Sequence, residues 1–432
     1  MSPTTPVRFL TGITTTGTPH LGNYVGALRP AVQASRRPGT ENFYFLADYH
    51  ALIKCDEPAR MQRSTLEIAA CWLAIGLDPD SVYFYRQSDI PEITELTWLL
   101  TCVTGKGVLN RAHAYKASVD KNLAAGADPD SDVTAGLFMY PVLMAADILM
   151  FKAHKIPVGR DQVQHIEMAR DIAQSFNHLY GEHFVLPEAA VDDTVALLPG
   201  TDGRKMSKSY DNAIPLFAPP AELRKQIAGI VTDSRAPGEP KTVEGSALFQ
   251  IFEAFASPAE TQQMRQAYND GIAWSDAKQM LFERIDREIA PMRERYEALV
   301  NNPAELEKTL RAGADKVRAL ATPFMADLRS AVGLRNLGAA AVRKPKAAKA
   351  AKAAMPSFKQ YRQADGKHYF KLVDASGALL AQSTGFATPQ EAGRVVSQLK
   401  QGRLEGVETS LQLADGISRA EVAAVLAALA QP

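Results

Sequence analysis

Apolar positions along the chain fall into short runs separated by stretches with helical spacing. Residues 7–10, VRFL, read as a strand, and a threonine-rich turn bracketed by Gly12 and Gly17 follows. Thr18 and Pro19 then supply an N-cap and a proline at the first helical position. Residues 42–53, NFYFLADYHALI, form a second apolar run ending in Asp48-Tyr49-His50, and residues 81–87, SVYFYRQ, form a third. Between these two, residues 58–77 place Met61, Ile68, Ala69, Trp72, Leu73 and Ile75 on one broad helical face. Residues 137–151, LFMYPVLMAADILMF, are almost wholly apolar; with Pro141 in the first turn of a helix, Tyr140, Met144 and Asp147 share a face. Residues 156–177 read as strand, turn at Gly159, and helix. Strands alternating with helices predict an α/β fold: a doubly wound parallel sheet with helices on both faces. Ligands of such sheets bind beyond the carboxyl ends of the strands, so the Gly12 turn and the Asp48-Tyr49-His50 corner should border one crevice.

The rest of the pattern divides the chain. Residues 89–135 read as a helical insertion whose loop carries Lys116 and Lys121, placed either to cover an anionic ligand or simply to be solvated. Residues 216–337 are mainly helical, with amphipathic stretches at 291–310 and 316–334. Residues 338–356 turn to alanine with Arg343, Lys344, Lys346, Lys349 and Lys352 and no acid, which reads as a linker that is solvated or touches RNA phosphates. Beyond it, residues 358–361, 369–373 and 378–383 predict a three-stranded meander followed by a helix over 388–400.

Composition narrows the classes. With 432 residues, 46% of them apolar, the chain can bury more than one sizeable core. No apolar run is long enough to span a bilayer and no signal-like segment opens the chain, so no membrane association and cytoplasmic residence are expected. Three cysteines without a CxxC pair suggest neither a disulfide framework nor a zinc site. Basic and acidic residues balance at 48 each, so contact with nucleic acid must come from local patches.

Three segments carry candidate chemistry. His20-Leu21-Gly22-Asn23 opens the helix after the first strand, where unpaired N–H groups suit a phosphate and where His20 and Asn23 can reach the same anion. A P-loop is excluded because Thr18-Pro19 stands where Lys-Ser/Thr is required, and no GxGxxG occurs there. Asp147 is the single charge in its apolar helix; its carboxylate requires a donor, either an internal arginine or backbone amide or a ligand N–H or O–H. The string Lys205-Met206-Ser207-Lys208-Ser209, with Gly200 and Gly203 as hinges, suits approach to a polyphosphate; its chance occurrence in such a chain is on the order of one in ten thousand. Asp161 and Gln162 stand at a helix start facing the crevice, as ligand contacts or as caps.

The pair HLGN and KMSKS, with YPVLMAADIL and IPVGRDQVQH between them, resembles class I aminoacyl-tRNA synthetases, and within them the bacterial tryptophanyl branch, over residues 7 to about 335. The resemblance implies a Rossmann-like catalytic domain over 1–215 and a helical anticodon-binding domain over 216–337, whereas the small α+β domain over 357–432, of unread role, is not part of the usual bacterial enzyme. It implies that tryptophan is activated by ATP with Mg²⁺ held through the nucleotide phosphates, and is then transferred to tRNA(Trp) by a homodimer. His20, Asn23, Lys205 and Lys208 would be catalytic. ATP would also meet Thr14, Thr16, Gly17, Gly22, Gly159, Asp161, Gln162, Met206, Ser207 and Ser209. Tryptophan would meet Leu10, Gly12, His50, Tyr140, Met144, Asp147 and Gln162, with Asp147 accepting the indole N–H. Thr14-Thr15-Thr16-Gly17 departs from the Gln-Pro-Ser-Gly of many relatives, and Arg160 replaces a commoner acidic or small residue. A tyrosine ligase, a related nucleotidyltransferase and an RNA-binding paralogue are the alternatives.

Overall fold

The computed structural model describes residues 6–15, 17–191, 198–334, 356–363, 365–402 and 406–429, so Thr16 and most of the 338–356 tract lie outside the described residues. The chain divides into two compact units, Met1–Arg335 and Asn336–Pro432.

In the first unit, β1 (Val7–Ile13) leads to α1 (Leu21–Asn23), which runs through a π turn into α2 (Arg29–Ser35). β2 (Thr40–Leu46), α3 (Asp48–Ala51), α4 (Pro58–Ala74) and β3 (Tyr83–Arg86) complete the first half of the sheet. The insertion forms α5 (Pro91–Thr101), α6 (Lys106–Leu109) and α7 (His113–Ala124). Then come α8 (Ala135–Met150), β4 (Lys155–Pro157), α9 (Val163–Tyr180) and β5 (Glu188–Ala190). All pairings are parallel in the order β3-β2-β1-β4-β5. The chain builds outward from β1 to β3 and then returns to β4, so the switch point lies between β1 and β4, and a crevice opens beyond their carboxyl ends.

Two predicted boundaries shift. The strand expected over 42–53 stops at Leu46, because Asp48 accepts hydrogen bonds from the Tyr49 and Ser88 N–H groups and turns Asp48-Tyr49-His50 into α3. Pro141 lies inside α8, beyond its first turn, because Thr134 caps the helix by accepting from the Leu137 N–H and starts it earlier.

The remaining helices, α10 (Pro220–Ala228), α11 (Ala247–Phe255), α12 (Pro258–Asn269), α13 (Trp274–Val300) and α14 (Pro303–Ala331), belong to the same unit. α14 covers the edge strand β3 so closely that a Cβ on Gly313 would lie 1.7 Å from the Phe84 carbonyl oxygen. That contact protects the sheet edge from pairing with another chain. Arg86 to Glu307 and Arg318 to Glu92 fasten it.

The second unit is an antiparallel sheet of β6 (Ser357–Arg362), β7 (His368–Val373), β8 (Leu379–Ser383) and β9 (Leu411–Leu413), in that order. α15 (Pro389–Lys400) and α16 (Arg419–Leu429) bury Ala392, Val396, Leu399, Val422 and Leu426 against Phe370 and Leu372. The fourth strand and second helix go beyond the predicted meander and single helix. Among the described residues no helix is long and apolar enough to cross a membrane.

Candidate active site

A cavity of about 560 Å³ opens at the switch point. Leu10, Gly12, His50, Tyr140, Met144, Asp147 and Gln162 all line it, joined by Thr14 and Gly159. Its one deeply buried charge is Asp147, 1% exposed. The carboxylate accepts from His50 Nε2 at 2.9 Å and from Gln87 Nε2 at 2.8 and 3.0 Å. Neither an arginine nor a backbone amide fills that place. Gln87 is fully buried and its amide is oriented from the other end, because its Oε1 accepts from the Tyr49 N–H at 3.1 Å. Burial pushes the Asp147 carboxyl above its ordinary value; His50 and Gln87 oppose that push, and the Asp48 charge adds to it. A carboxylate with lone pairs to spare at the wall of a mostly apolar cavity is an acceptor for one more donor.

A second polar chain runs beside the first, the Tyr140 ring standing edge-on to that of His50 at 6.3 Å. Tyr140 Oη lies 2.6 Å from His165 Nε2, and His165 Nδ1 lies 3.0 Å from Gln162 Oε1. Because an amide oxygen only accepts, Nδ1 carries the proton and Nε2 accepts from the tyrosine hydroxyl. Burial pulls the His165 pKa down, with His113 and His50 acting in the same direction and Asp161 against it, so the imidazole stays neutral. Tyr140 and Gln162 are thus held with acceptor oxygens available to a ligand cation. Gln162 Nε2 donates to Asp161 at 2.7 Å.

The tip of α1 departs from expectation. His20, not Thr18, is the N-cap; Thr18 instead donates to Glu67 at 2.8 Å. The Asn23 N–H donates to His20 Nδ1 at 3.2 Å, and the His20 N–H donates to Asn23 Oδ1 at 3.1 Å. The Leu21 N–H bonds the Ile214 carbonyl and the Gly22 N–H points at Met206 Sδ, 3.3 Å away. The backbone donators expected to meet a phosphate are therefore engaged, and His20 and Asn23 grip each other. What this leaves for an anion is side-chain chemistry: with Nδ1 accepting, neutral His20 carries its proton on Nε2.

Lys208 joins that tip. A Cβ at Gly17, whose φ is +82°, would lie 2.9 Å from Lys208 Nζ, so only glycine allows both the turn and the approach. Burial lowers the Lys208 pKa; Glu67 opposes this and Arg60 adds to it. His20 is lowered to about 4, by burial first and then by the Lys208 charge. Lys205 is exposed on the same loop, Met206 is buried beneath α1, and the Ser207 hydroxyl accepts from the Ser209 N–H. The loop is pinned by Asn212, 2% exposed, which accepts from the Ser207 N–H at 2.8 Å and donates to the Lys205 carbonyl and to Asp202. At Gly200 a Cβ would meet the Asn212 side chain at 2.3 Å, so glycine there allows close packing, while Gly203, with φ +82°, keeps the turn.

The sequence pattern of the family described as tRNA synthetases class I (W and Y) matches residues 1–289. A relative from Xanthomonas campestris pv. campestris named tryptophan–tRNA ligase is 68% identical over 394 residues, covering 90% of this chain and 91% of its own. The chain belongs to the class I tRNA synthetases. A Pseudomonas aeruginosa relative with the same name is 61% identical, covering 91% of this chain and 89% of its own. The crystal structure of Campylobacter jejuni tryptophanyl-tRNA synthetase complexed with ADP and tryptophan superposes with a TM-score of 0.70 at 40% identity, covering 76% of this chain and all of the other.

In this class I synthetase the burial of His20, with the Lys208 charge beside it, gives a pH signature. Unfolded, the imidazole titrates near 6.5; folded, near 4. The unfolded chain therefore binds more protons in that interval, and the contribution of His20 to stability is fully present above about 6.5 and is lost as pH falls through 4. Nitrogen NMR should find His20 as the Nε2–H tautomer with a midpoint near 4, moving upward in Lys208→Met. A midpoint at or above 6.5 would contradict the described environment.

Proposed function

We infer that the chain carries out tryptophan–tRNA ligation. The carboxylate of L-tryptophan attacks the α-phosphorus of ATP, the bond to pyrophosphate breaks, and a ribose hydroxyl at the 3′ end of tRNA(Trp) then takes the acyl group from the adenylate as AMP leaves. The observation that carries this reading is the buried Asp147 acceptor in a cavity that opens at the same switch point as the His20–Lys208 tip.

Each residue has a task that follows from its surroundings. Asp147, held by His50 and Gln87, accepts the indole N–H, while Leu10, Gly12 and Met144 shape the ring pocket. Tyr140 and Gln162, locked together through His165, receive the ammonium group with their oxygens. His20 Nε2–H, the exposed Asn23 amide, Lys205 and Lys208 stabilise the charge developing on the phosphates. Gly17, Gly22 and Met206 set the clearance beneath them, and Ser207 and Ser209 hold the loop. Thr14, Gly159 and Asp161 border the adenosine side of the crevice. No protein nucleophile is needed, so catalysis consists of positioning and electrostatic stabilisation.

Among the described residues no group of three or more His, Cys, Asp or Glu side chains is placed to hold a metal ion. Mg²⁺ would arrive on the phosphate oxygens of ATP and would supply charge neutralisation there, beside the Lys205 and Lys208 ammonium groups. The helices α10–α14 are assigned to the anticodon side of the tRNA. The insertion, which exposes Trp98 and Leu123, is assigned to the contact between two copies of the chain. The reaction belongs to the cytoplasm, where ATP and tRNA meet. Aminoacylation of a tRNA(Trp) transcript tests the whole reading: tryptophan should be esterified in an ATP-dependent reaction, and a chain that forms the adenylate but never charges the transcript would overturn the second step.

A further inference from the structure

The outward face of the C-terminal sheet carries an arrangement that folding alone does not favour. Phe370 and Leu372 point toward α15 and α16, so the alternate residues of β6 and β7 face away from the helices. Across that outer face Lys359 pairs with Lys371, Lys371 with Gln382, and Gln382 with Gln412. In the next row Tyr361 pairs with Tyr369, their rings stacked at 5.8 Å and 20°. Lys371 Nζ stands 5.9 Å from the Tyr361 ring centroid.

Two like charges directly opposite each other weaken an antiparallel pair. Among the described residues neither ammonium has an acidic partner within ion-pair distance. The acids at the adjacent hairpins are occupied locally: Asp365 accepts from the Tyr369 hydroxyl and the Lys367 N–H, and Asp374 accepts from Ser376 and the Ala378 N–H. Edge protection explains a lysine on β6, the outer strand. It does not explain Lys371 on the interior strand opposite it, nor the partly exposed tyrosine pair beside them. Charge along the chain points the same way. From Gly338 to Pro432 there are 13 Lys and Arg against 7 Asp and Glu, whereas residues 1–337 hold 35 against 41. The unit that must meet a polyanion is net acidic, and the excess positive charge lies in the C-terminal region.

We propose that this sheet face binds an unpaired stretch of tRNA, with a phosphate between Lys359 and Lys371 and bases stacked on Tyr361 and Tyr369. An aromatic pair flanked by lysines on an open four-stranded face matches the chemistry by which sheets hold single-stranded RNA, through backbone charge and sequence-tolerant stacking. The choice of tRNA as the occupant rests on the ligation reaction read above. The face then acts as a tethered second contact, raising the effective concentration of tRNA at the catalytic unit.

The test uses the full chain and a tRNA(Trp) transcript, with fluorescence anisotropy over a salt series. Lys359→Gln with Lys371→Gln should weaken binding and reduce the slope of log affinity against log salt by about 0.7, the share of the one single-strand phosphate held between them. The same change should slow amide exchange in β6 and β7, because it removes the like-charge pair. A purely structural role for the lysines would instead move stability and binding together. Lys359→Arg with Lys371→Arg should restore both slope and affinity. Tyr361→Val with Tyr369→Val, which keeps strand propensity, should cost about five-fold or more for each base unstacked. Tryptophan-dependent pyrophosphate exchange should be unchanged in every variant. If the wild-type chain lacked that exchange, the activation reading would fail separately. Unaltered tRNA affinity and salt slope in both double variants, with β6 and β7 still protected, would overturn the proposal, as would a face occupied by a protein partner.

Discussion

Asp147→Ala raises the tryptophan KM in pyrophosphate exchange by about 10²-fold or more and leaves the ATP KM within about two-fold. A hydrogen bond to a charged group contributes roughly 1.5–3 kcal/mol, or about 10- to 150-fold in affinity. The substitution also strands the two donors that face the carboxylate, His50 Nε2 and Gln87 Nε2, and each buried unsatisfied donor costs a further 1–3 kcal/mol or so. The residues proposed to meet the ATP phosphates, His20, Gly17 and Lys208, are others and lie together at the α1 tip, so ATP should scarcely notice. Gln87→Leu should reproduce part of the loss, and the Asp147 and Gln87 effects should be strongly non-additive because one side chain orients the other. Equal losses of tryptophan and ATP affinity would remove Asp147 from any role in selecting the amino acid.

The second large effect falls on rate. Lys208→Ala should lower the rate of adenylate formation by about 10²–10³-fold, the range for removing one donor aimed at developing charge, with tryptophan affinity changed by less than about three-fold. The reason is geometric: Lys208 approaches the Gly17 turn and shifts His20, so its charge is focused on the α1 tip and not on the amino-acid cavity. Lys205→Ala should act on the same step. Presteady-state measurement of adenylate formation separates binding from chemistry. A fall in tryptophan affinity without a fall in rate would assign Lys208 to the wrong partner.

What could be read in the sequence was what repeats locally. Apolar runs with strand length marked β1, β2 and β3, and helical spacing marked α4, α8 and α9, because burial against a sheet imposes those periods over neighbouring residues. β5 has three residues and pairs only with β4, so it leaves no comparable pattern. The cavity lining was also legible, because family-like motifs brought Leu10, Gly12, His50, Tyr140, Met144, Asp147 and Gln162 to one place. The support behind the cavity was not. Gln87 reaches Asp147 across 60 positions, and a buried glutamine at a strand end has no periodicity to announce it. The link that His165 makes between Tyr140 and Gln162 depends on two elements meeting. Asn212 likewise pins the Lys205–Ser209 loop through partners set by the fold.

The α1 tip shows the limit most clearly. Residue types there fit a cap at Thr18 and free N–H groups at His20 to Asn23. Packing decided otherwise: Glu67 takes the Thr18 hydroxyl, Ile214 and Met206 take the Leu21 and Gly22 N–H groups, and His20 becomes the cap. An anion at this tip would therefore meet side chains and not backbone N–H groups: His20 as the Nε2–H tautomer, with Lys208 beside it.

The cavity beside Asp147 is proposed to select tryptophan for activation. ATP–pyrophosphate exchange driven by tryptophan, by tyrosine and by the tryptophan isostere with sulfur in place of the indole N–H tests this most directly. Exchange is expected with tryptophan, with a kcat/KM lower by a factor on the order of 10⁴ for the sulfur isostere, because the part of the buried carboxylate that His50 and Gln87 leave open then loses the donor it is built for. Tyrosine is expected to be a poor substrate. Comparable exchange with tyrosine or with the isostere would contradict that selection.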